Sequence, residues 1–258
     1  MKKVLLASVA TLALAAISTT ASASVSGTLG GSYANDTSSS GADIWNIDGS
    51  LTGMFSGNWG AEVAGSYHNV SGGGSIDIWN IGGSVFWAGT KGRIAATVNY
   101  DDFSIPGSDL NFTTYGVGGE WWASPSITVA AKGGGTNASI SGCSGCSANG
   151  GYAGAMLKGY IMPNLALSGS VDYFDISGGH ETDETIRAEW LWSNTMPLSI
   201  YGGYQHIDSG LFFGASQDVV FVGLKFYFGG AGGASLVDRQ RNGSLGYIGQ
   251  PTLFWDQY

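Results

Sequence analysis

The chain has 258 residues, 44 of them glycine, with 12 Tyr, 11 Phe and 9 Trp, only 11% charged residues and a net charge of −9. So many aromatics at so low a charge exclude a disordered chain. Glycine at more than twice the ~7% average, costing about 1 kcal/mol per helical position, excludes a helical bundle. No apolar run of ~20 residues follows residue 17, which excludes a helical membrane protein and leaves an all-β chain.

Lys2 and Lys3, the apolar stretch Val4 to Ile17 and then Ala21-Ser22-Ala23 have the order of a secretory signal with its cleavage site, so residues 1–23 are read as a signal peptide. Its removal leaves 8 basic and 19 acidic residues, a net charge of −11. A first alternating stretch lies at 25–34. Asp43-Ile44-Trp45-Asn46-Ile47-Asp48-Gly49-Ser50-Leu51 then returns 34 residues later as Asp77-Ile78-Trp79-Asn80-Ile81-Gly82-Gly83-Ser84-Val85. Similar units begin near Phe112, Gly151, Glu184 and Asp218. Each reads as a hairpin, because apolar and polar residues alternate with period two on both sides of a short turn. The turns are centred near Gly57-Asn58, Gly89-Thr90, Ser124-Pro125, Met162-Pro163-Asn164 and Asn194-Thr195-Met196-Pro197. The longer connections are 35–43, 71–76, 101–109, 134–150, 176–183 and 208–217.

With a last strand at 218–228 the count is twelve. An even number of strands of about 10 residues, joined alternately by short and long connections, is the pattern of a transmembrane antiparallel β-barrel occupying 24–228. Closure follows from the environment, since an open sheet in lipid would leave backbone groups unsatisfied.

Alternation also assigns the faces. Val220, Val222, Leu224, Phe226 and Phe228 share the apolar, lipid-directed face of the last strand, and Lys225 lies opposite. Applied throughout, the rule sends Asp48, Glu62, Arg93, Glu120, Lys132, Lys158, Asp172, Arg187, Glu189 and Lys225 inward, and His68 is placed with them as lining of a channel. Aromatics form two bands. Trp59, Trp87, Trp121, Trp122, Tyr160, Trp190, Trp192 and Phe228 lie near the short turns, and Tyr33, Trp45, Tyr67, Trp79, Tyr100, Tyr173 and Tyr204 near the long connections. Asp36, Asp43, Asp77, Asp101, Asp102, Asp109, Asp183, Glu184, Asp208 and Asp218 lie in or beside those long connections, which hold no Lys or Arg. They are read as an acidic rim that would concentrate cations.

These residues together resemble the Gram-negative outer-membrane β-barrel proteins, the porin-like ones in particular. Val220 to Phe228 looks like the terminal signal read by the barrel assembly machinery, although 30 residues follow it here. The resemblance implies a place in the outer membrane among its lipids and lipopolysaccharide, and passive diffusion of small polar solutes or ions. The alternatives are a non-conducting structural barrel and a surface protease resembling the omptins. For the latter, Asp101-Asp102 and His206 with Asp208 would have to serve, yet adjacent Asp101 and Asp102 point to opposite faces of a strand. No enzyme activity, cofactor or metal site is expected.

Cys143 and Cys146, in the longest connection, are read as a local disulfide, since a lone pair lacks the four ligands of a structural zinc site and no thioredoxin-like unit surrounds it. The tail, 229–258, opens on Gly229-Gly230-Ala231-Gly232-Gly233, a flexible linker. It reads as a loose periplasmic extension, or alternatively as a segment folded into the lumen. The acidic balance disfavours nucleic acid as a partner, and no oligomer interface is legible.

Overall fold

A computed structural model describes residues 25–249 except 39–40, 73–74, 106–107, 142, 144–145, 178, 193–196, 211–215 and 230–234. The expected signal peptide and the tail beyond 249 lie outside the described residues. Twelve antiparallel strands form one closed sheet. They are β1 (Val25–Asp36), β2 (Asp43–Ser56), β3 (Trp59–Ser71), β4 (Ser75–Gly89), β5 (Gly92–Ile105), β6 (Ser108–Ser124), β7 (Ile127–Ile140), β8 (Ser147–Met162), β9 (Leu165–Ile176), β10 (Gly179–Leu191), β11 (Leu198–Ser209) and β12 (Gln217–Gly229). Each strand pairs with its sequence neighbours, and β12 closes onto β1, with Phe228 opposite Gly27 and Phe226 opposite Leu29.

The strands are strongly tilted. A row of register partners begun at Val25, at the short-turn end of β1, passes through Gly53, Val85, Val117, Ala153 and Thr182 and reaches Asp208, near the far end of β11. Such stagger is what closure of a sheet requires. Gly57, at φ 54°, supplies the left-handed residue of the β2–β3 turn.

Alternation sorts the side chains as the lipid argument demands. Leu29, Ile47, Ile94, Val98, Val117, Ile186, Val220, Val222 and Leu224 all point outward and are exposed. Trp45 and Trp79 band the loop end outside them, and Trp59, Trp87, Trp121, Trp190 and Trp192 band the turn end. An apolar exterior of this extent, with aromatic borders, is suited to a bilayer. Two members of the expected bands differ. Tyr160 is buried inside, and Trp122 reaches inward to donate to Glu120 Oε1 at 2.9 Å. Both obey alternation, since Trp122 shares the face of Glu120 on β6 and Tyr160 that of Lys158 on β8.

The strands run farther than the sequence pattern indicates. β7 and β8 extend through most of 134–150, β5 and β6 leave only 106–107 between them, and β10 begins at Gly179. Polar residues in these extensions are paired by the ladder, so a polar composition does not end a strand there.

The tail returns to the barrel. Ser235 caps helix α1 (Leu236–Asn242), accepting from Asp238 N at 3.1 Å. A 3₁₀ turn follows at Gly246–Ile248. Leu236 packs with Tyr160, Ala166, Leu191 and Tyr227, while Leu245 and Ile248 pack with Phe86, Ala95 and Ala130. All are inward residues of the barrel wall, so 235–249 fill the turn-end half of the lumen. Burying each of Leu236, Leu245 and Ile248 is worth about 1.5–3 kcal/mol.

Candidate functional site

The interior has three levels. Outermost is an apolar layer of buried side chains drawn from every strand but β10, including Ile44, Ile78, Phe103, Phe112, Phe174, Ile207 and Val219. Phe103 and Phe112 meet edge to face at 5.2 Å, and Tyr152 stacks on Phe174 at 5.8 Å. The sequence reading missed this layer by assuming that the inward face is polar throughout. Its signal was present in the short runs where both faces are apolar, such as Ile44-Trp45, Ile78-Trp79 and Val219-Val220-Phe221-Val222.

The middle level is a cavity of about 160 Å³. Asp48, Arg93, Glu120, Lys132, Lys158, Arg187, Glu189 and Lys225 line it, together with Arg239 and Arg241 of the tail. Asp172, Glu62 and His68 are also inside and buried. Alternation thus brings the expected inward charges into one lumen. The ion pairs are Arg93–Glu120 at 2.8 Å, Lys132–Asp172 at 3.1 Å and Arg187–Glu189 at 3.1 Å. Glu189 also accepts from Ser199 Oγ at 2.8 Å and from Tyr227. His68 Nε2 lies 3.0 Å from Ser66 Oγ.

The third level is the tail, held through these same groups. Arg93 donates to the carbonyls of Gly243 (2.9 Å), Gln240 (3.0 Å) and Ser244 (3.2 Å). Glu62 accepts from Leu245 N at 2.7 Å, and Asp172 from the Tyr247 hydroxyl at 2.9 Å. Lys132 sits 4.2 Å from the centre of the Tyr247 ring. Burial and then the Asp172 charge push the Tyr247 hydroxyl above the ordinary tyrosine range, so it stays a donor. Gln240 bridges Lys158, Tyr160 and Glu189. Two glycines leave room. A Cβ on Gly118 would press on Ile248, and one on Gly154 would collide with Tyr247 and Asp172.

The expected acidic rim divides. Asp36, Asp101 and Asp183 point inward and are buried, as is Glu181. They do not form part of a solvent-facing rim, because alternation continues through the strand extensions and sends every second residue inside. Asp43, Asp77, Asp102, Asp109, Glu184, Asp208 and Asp218 stay on the outside or at the mouth, of which Asp109, Glu184 and Asp208 are exposed. Three of the outer carboxylates share one arrangement. Asp43 accepts from Tyr33 and from Asn35 (3.0 Å), Asp77 from Tyr67 (2.7 Å) and Asn69 (2.8 Å), and Asp218 from Tyr204 and lies 2.8 Å from His206 Nδ1.

Cys143 and Cys146 are disulfide-bonded between β7 and β8. Val220, Val222, Leu224, Phe226 and Phe228 all face outward on β12. The residues considered for proteolysis are split by the wall, with Asp101 buried inside and His206 on the outside against Asp218. Among the described residues no cluster of three or more His, Cys, Asp or Glu is placed to hold a metal.

Neither a protein-family model nor a curated protein matches the chain. Among solved structures, the fold is similar to that of the NanC porin (TM-score 0.57, 11% identity, covering 77% of this chain and 98% of that one). It is also similar to the KdgM porin in complex with disordered oligogalacturonate (TM-score 0.55, 8% identity, 78% and 99%). A third is the translocator domain of autotransporter NalP from Neisseria meningitidis (TM-score 0.52, 12% identity, 79% and 88%). At these identities the likeness concerns the fold, a twelve-strand closed barrel of the porin type.

Proposed function

We propose that this chain is a porin-like channel of the cell outer membrane for passive diffusion of small polar solutes, with the path narrowed from within by its own tail. The observation that carries the reading is the charged cavity in mid-lumen, inside a barrel whose outer wall suits lipid. A barrel that served only to be packed would gain nothing from a charge-lined hollow there, since buried ion pairs add little to stability over apolar packing. The exposed carboxylates Asp109, Glu184 and Asp208, in the loop-end half of the outer face, would raise the cation concentration around that end. The outward row Val220 to Phe228 would be read by the assembly machinery, lipopolysaccharide would surround the loop end, and residues 1–23 would be removed on export.

A second reading, a non-conducting structural barrel, is favoured by the apolar layer in the outer half of the lumen. Planar-bilayer recording decides between them. The channel reading expects small current steps from the full chain and larger ones when 233–258 are deleted. No steps from either protein would leave the structural barrel.

A further inference from the structure

The cations of the lumen are confined to its short-turn half, whereas carboxylates occur along its whole length. The buried carboxylates Asp36, Asp101, Glu181 and Asp183 belong to the loop-end half. The five strand cations all lie within five residues of the short-turn ends of their strands, and α1 adds Arg239 and Arg241. The cavity consequently has seven cationic side chains in its wall against the carboxylates of Asp48, Glu120 and Glu189. Even with Asp172 counted, the cations outnumber the carboxylates, in a chain whose overall charge is negative.

The pairings show where the surplus sits. Arg93, Lys132 and Arg187 each have a carboxylate partner. Arg241 donates to the carbonyls of Ser124 (2.8 Å) and Ile127 (3.0 Å). Lys158 has the neutral Gln240 Oε1 at 3.0 Å. Lys225 lies 5.5 Å from the centre of the Tyr201 ring, repelled by Arg187 and attracted by Asp48 and Glu189, neither of them at ion-pair distance. Arg239 Nε is buried and has no acceptor among the described residues. A buried guanidinium donor without an acceptor, lining the same cavity as two ammonium groups that have no carboxylate at ion-pair distance, calls for an anionic acceptor in that hollow.

We propose that the mid-lumen cavity binds a small oxyanion through Lys158, Lys225 and Arg239. Size narrows the class. At ~30 Å³ of liquid volume per water, the cavity holds about five waters, room for a phosphate-sized ion. Sites for larger organic ligands are ~300–1,000 Å³. The anion would also tie the tail to the wall, since Arg239 belongs to α1 and Lys158 and Lys225 to β8 and β12.

The test is calorimetric titration of the full chain, refolded in zwitterionic detergent at low ionic strength, with inorganic phosphate as the probe and chloride as the screening control. Saturable phosphate binding is expected, weakened at least about tenfold in Lys225→Met/Arg239→Met, a loss of ~1.4 kcal/mol. The exposed control Lys91→Met should bind as the parent does, and Arg239→Lys, which keeps the charge, should retain part of the affinity. Circular dichroism establishes that each variant is folded. No saturable heat with the parent, equal binding by the double variant, or equal heats from chloride would overturn the proposal. No membrane current is involved, so a failure here and a failure of the channel reading are separate results.

Discussion

Arg93 Nη1 donates to the Gly243 carbonyl at 2.9 Å, joining the turn end of β5 to the end of α1 across 150 positions of sequence. The carbonyls at a helix C-terminus have no partner within the helix and carry partial negative charge. One guanidinium satisfies three carbonyls at and just beyond that end while keeping Glu120 as its ion pair. Arg93→Ala is therefore expected to loosen the tail. Limited proteolysis should cut 235–249 faster than in the parent, and conductance should move toward that of the protein lacking 233–258. Equal protease protection and equal conductance would show that the apolar contacts of Leu245 and Ile248 suffice.

Lys132 and Asp172 form a buried pair at 3.1 Å, with Tyr247 closing over both. Removing one partner of such a pair strands the other charge and costs about 3–5 kcal/mol, whereas replacing both with apolar groups can be neutral. Asp172→Leu should lower the urea midpoint strongly, and Lys132→Met/Asp172→Leu should recover much of the loss. A double variant no more stable than the single one would mean that the contacts of Tyr247, not the pairing of charges, set the cost.

Asp109, Glu184 and Asp208 are exposed on the outer face in the loop-end half of their strands, and the field of such charges reaches over about a Debye length, ~8 Å at physiological ionic strength. Changing all three to their amides should shift the reversal potential in a salt gradient toward anions, with a larger shift in dilute salt. An unchanged reversal potential at low salt would remove these carboxylates from the selectivity of the channel.

Phe228 faces outward on β12 opposite Gly27, and Phe226 opposite Leu29, at the seam that closes the barrel. If this row is the assembly signal, Phe226→Ala/Phe228→Ala should slow insertion by reconstituted assembly machinery more than spontaneous folding into detergent. Equal slowing in both would assign the pair to seam packing alone.

The twelve strands and the faces of their charges were legible because one physical rule, alternation against lipid, governs every strand. Lys132, Arg187 and Glu189 needed no more than that rule to be placed inside. For the tail, the sequence alone does not choose between periplasm and lumen. Leu236, Leu245 and Ile248 follow no period, since α1 and the 3₁₀ turn are each too short to show one, and what they pack on, Phe86 or Leu191, is distant in sequence. The apolar layer escaped because Ile44 and Phe112 obey alternation but are not polar, so a rule that equates inward with polar does not find them. Asp36, Asp101 and Asp183 were misplaced for a related reason, since their polar surroundings resemble loop while the backbone ladder continues through them.

Ile186 gives the sharpest test of the wall itself. It lies midway along β10, points outward and is 68% exposed, between Gly169 on β9 and Tyr204 on β11. Its neighbour in sequence, Arg187, points inward to Glu189. A cation facing hydrocarbon near the midplane costs ~2–4 kcal/mol, so Ile186→Arg should lower stability in lipid vesicles by about that amount. In a soluble β-protein the same change at so exposed a site would cost little. Measured by urea unfolding from vesicles, with Ile186→Leu as the control for side-chain size, a cost near zero would mean that this face does not contact lipid.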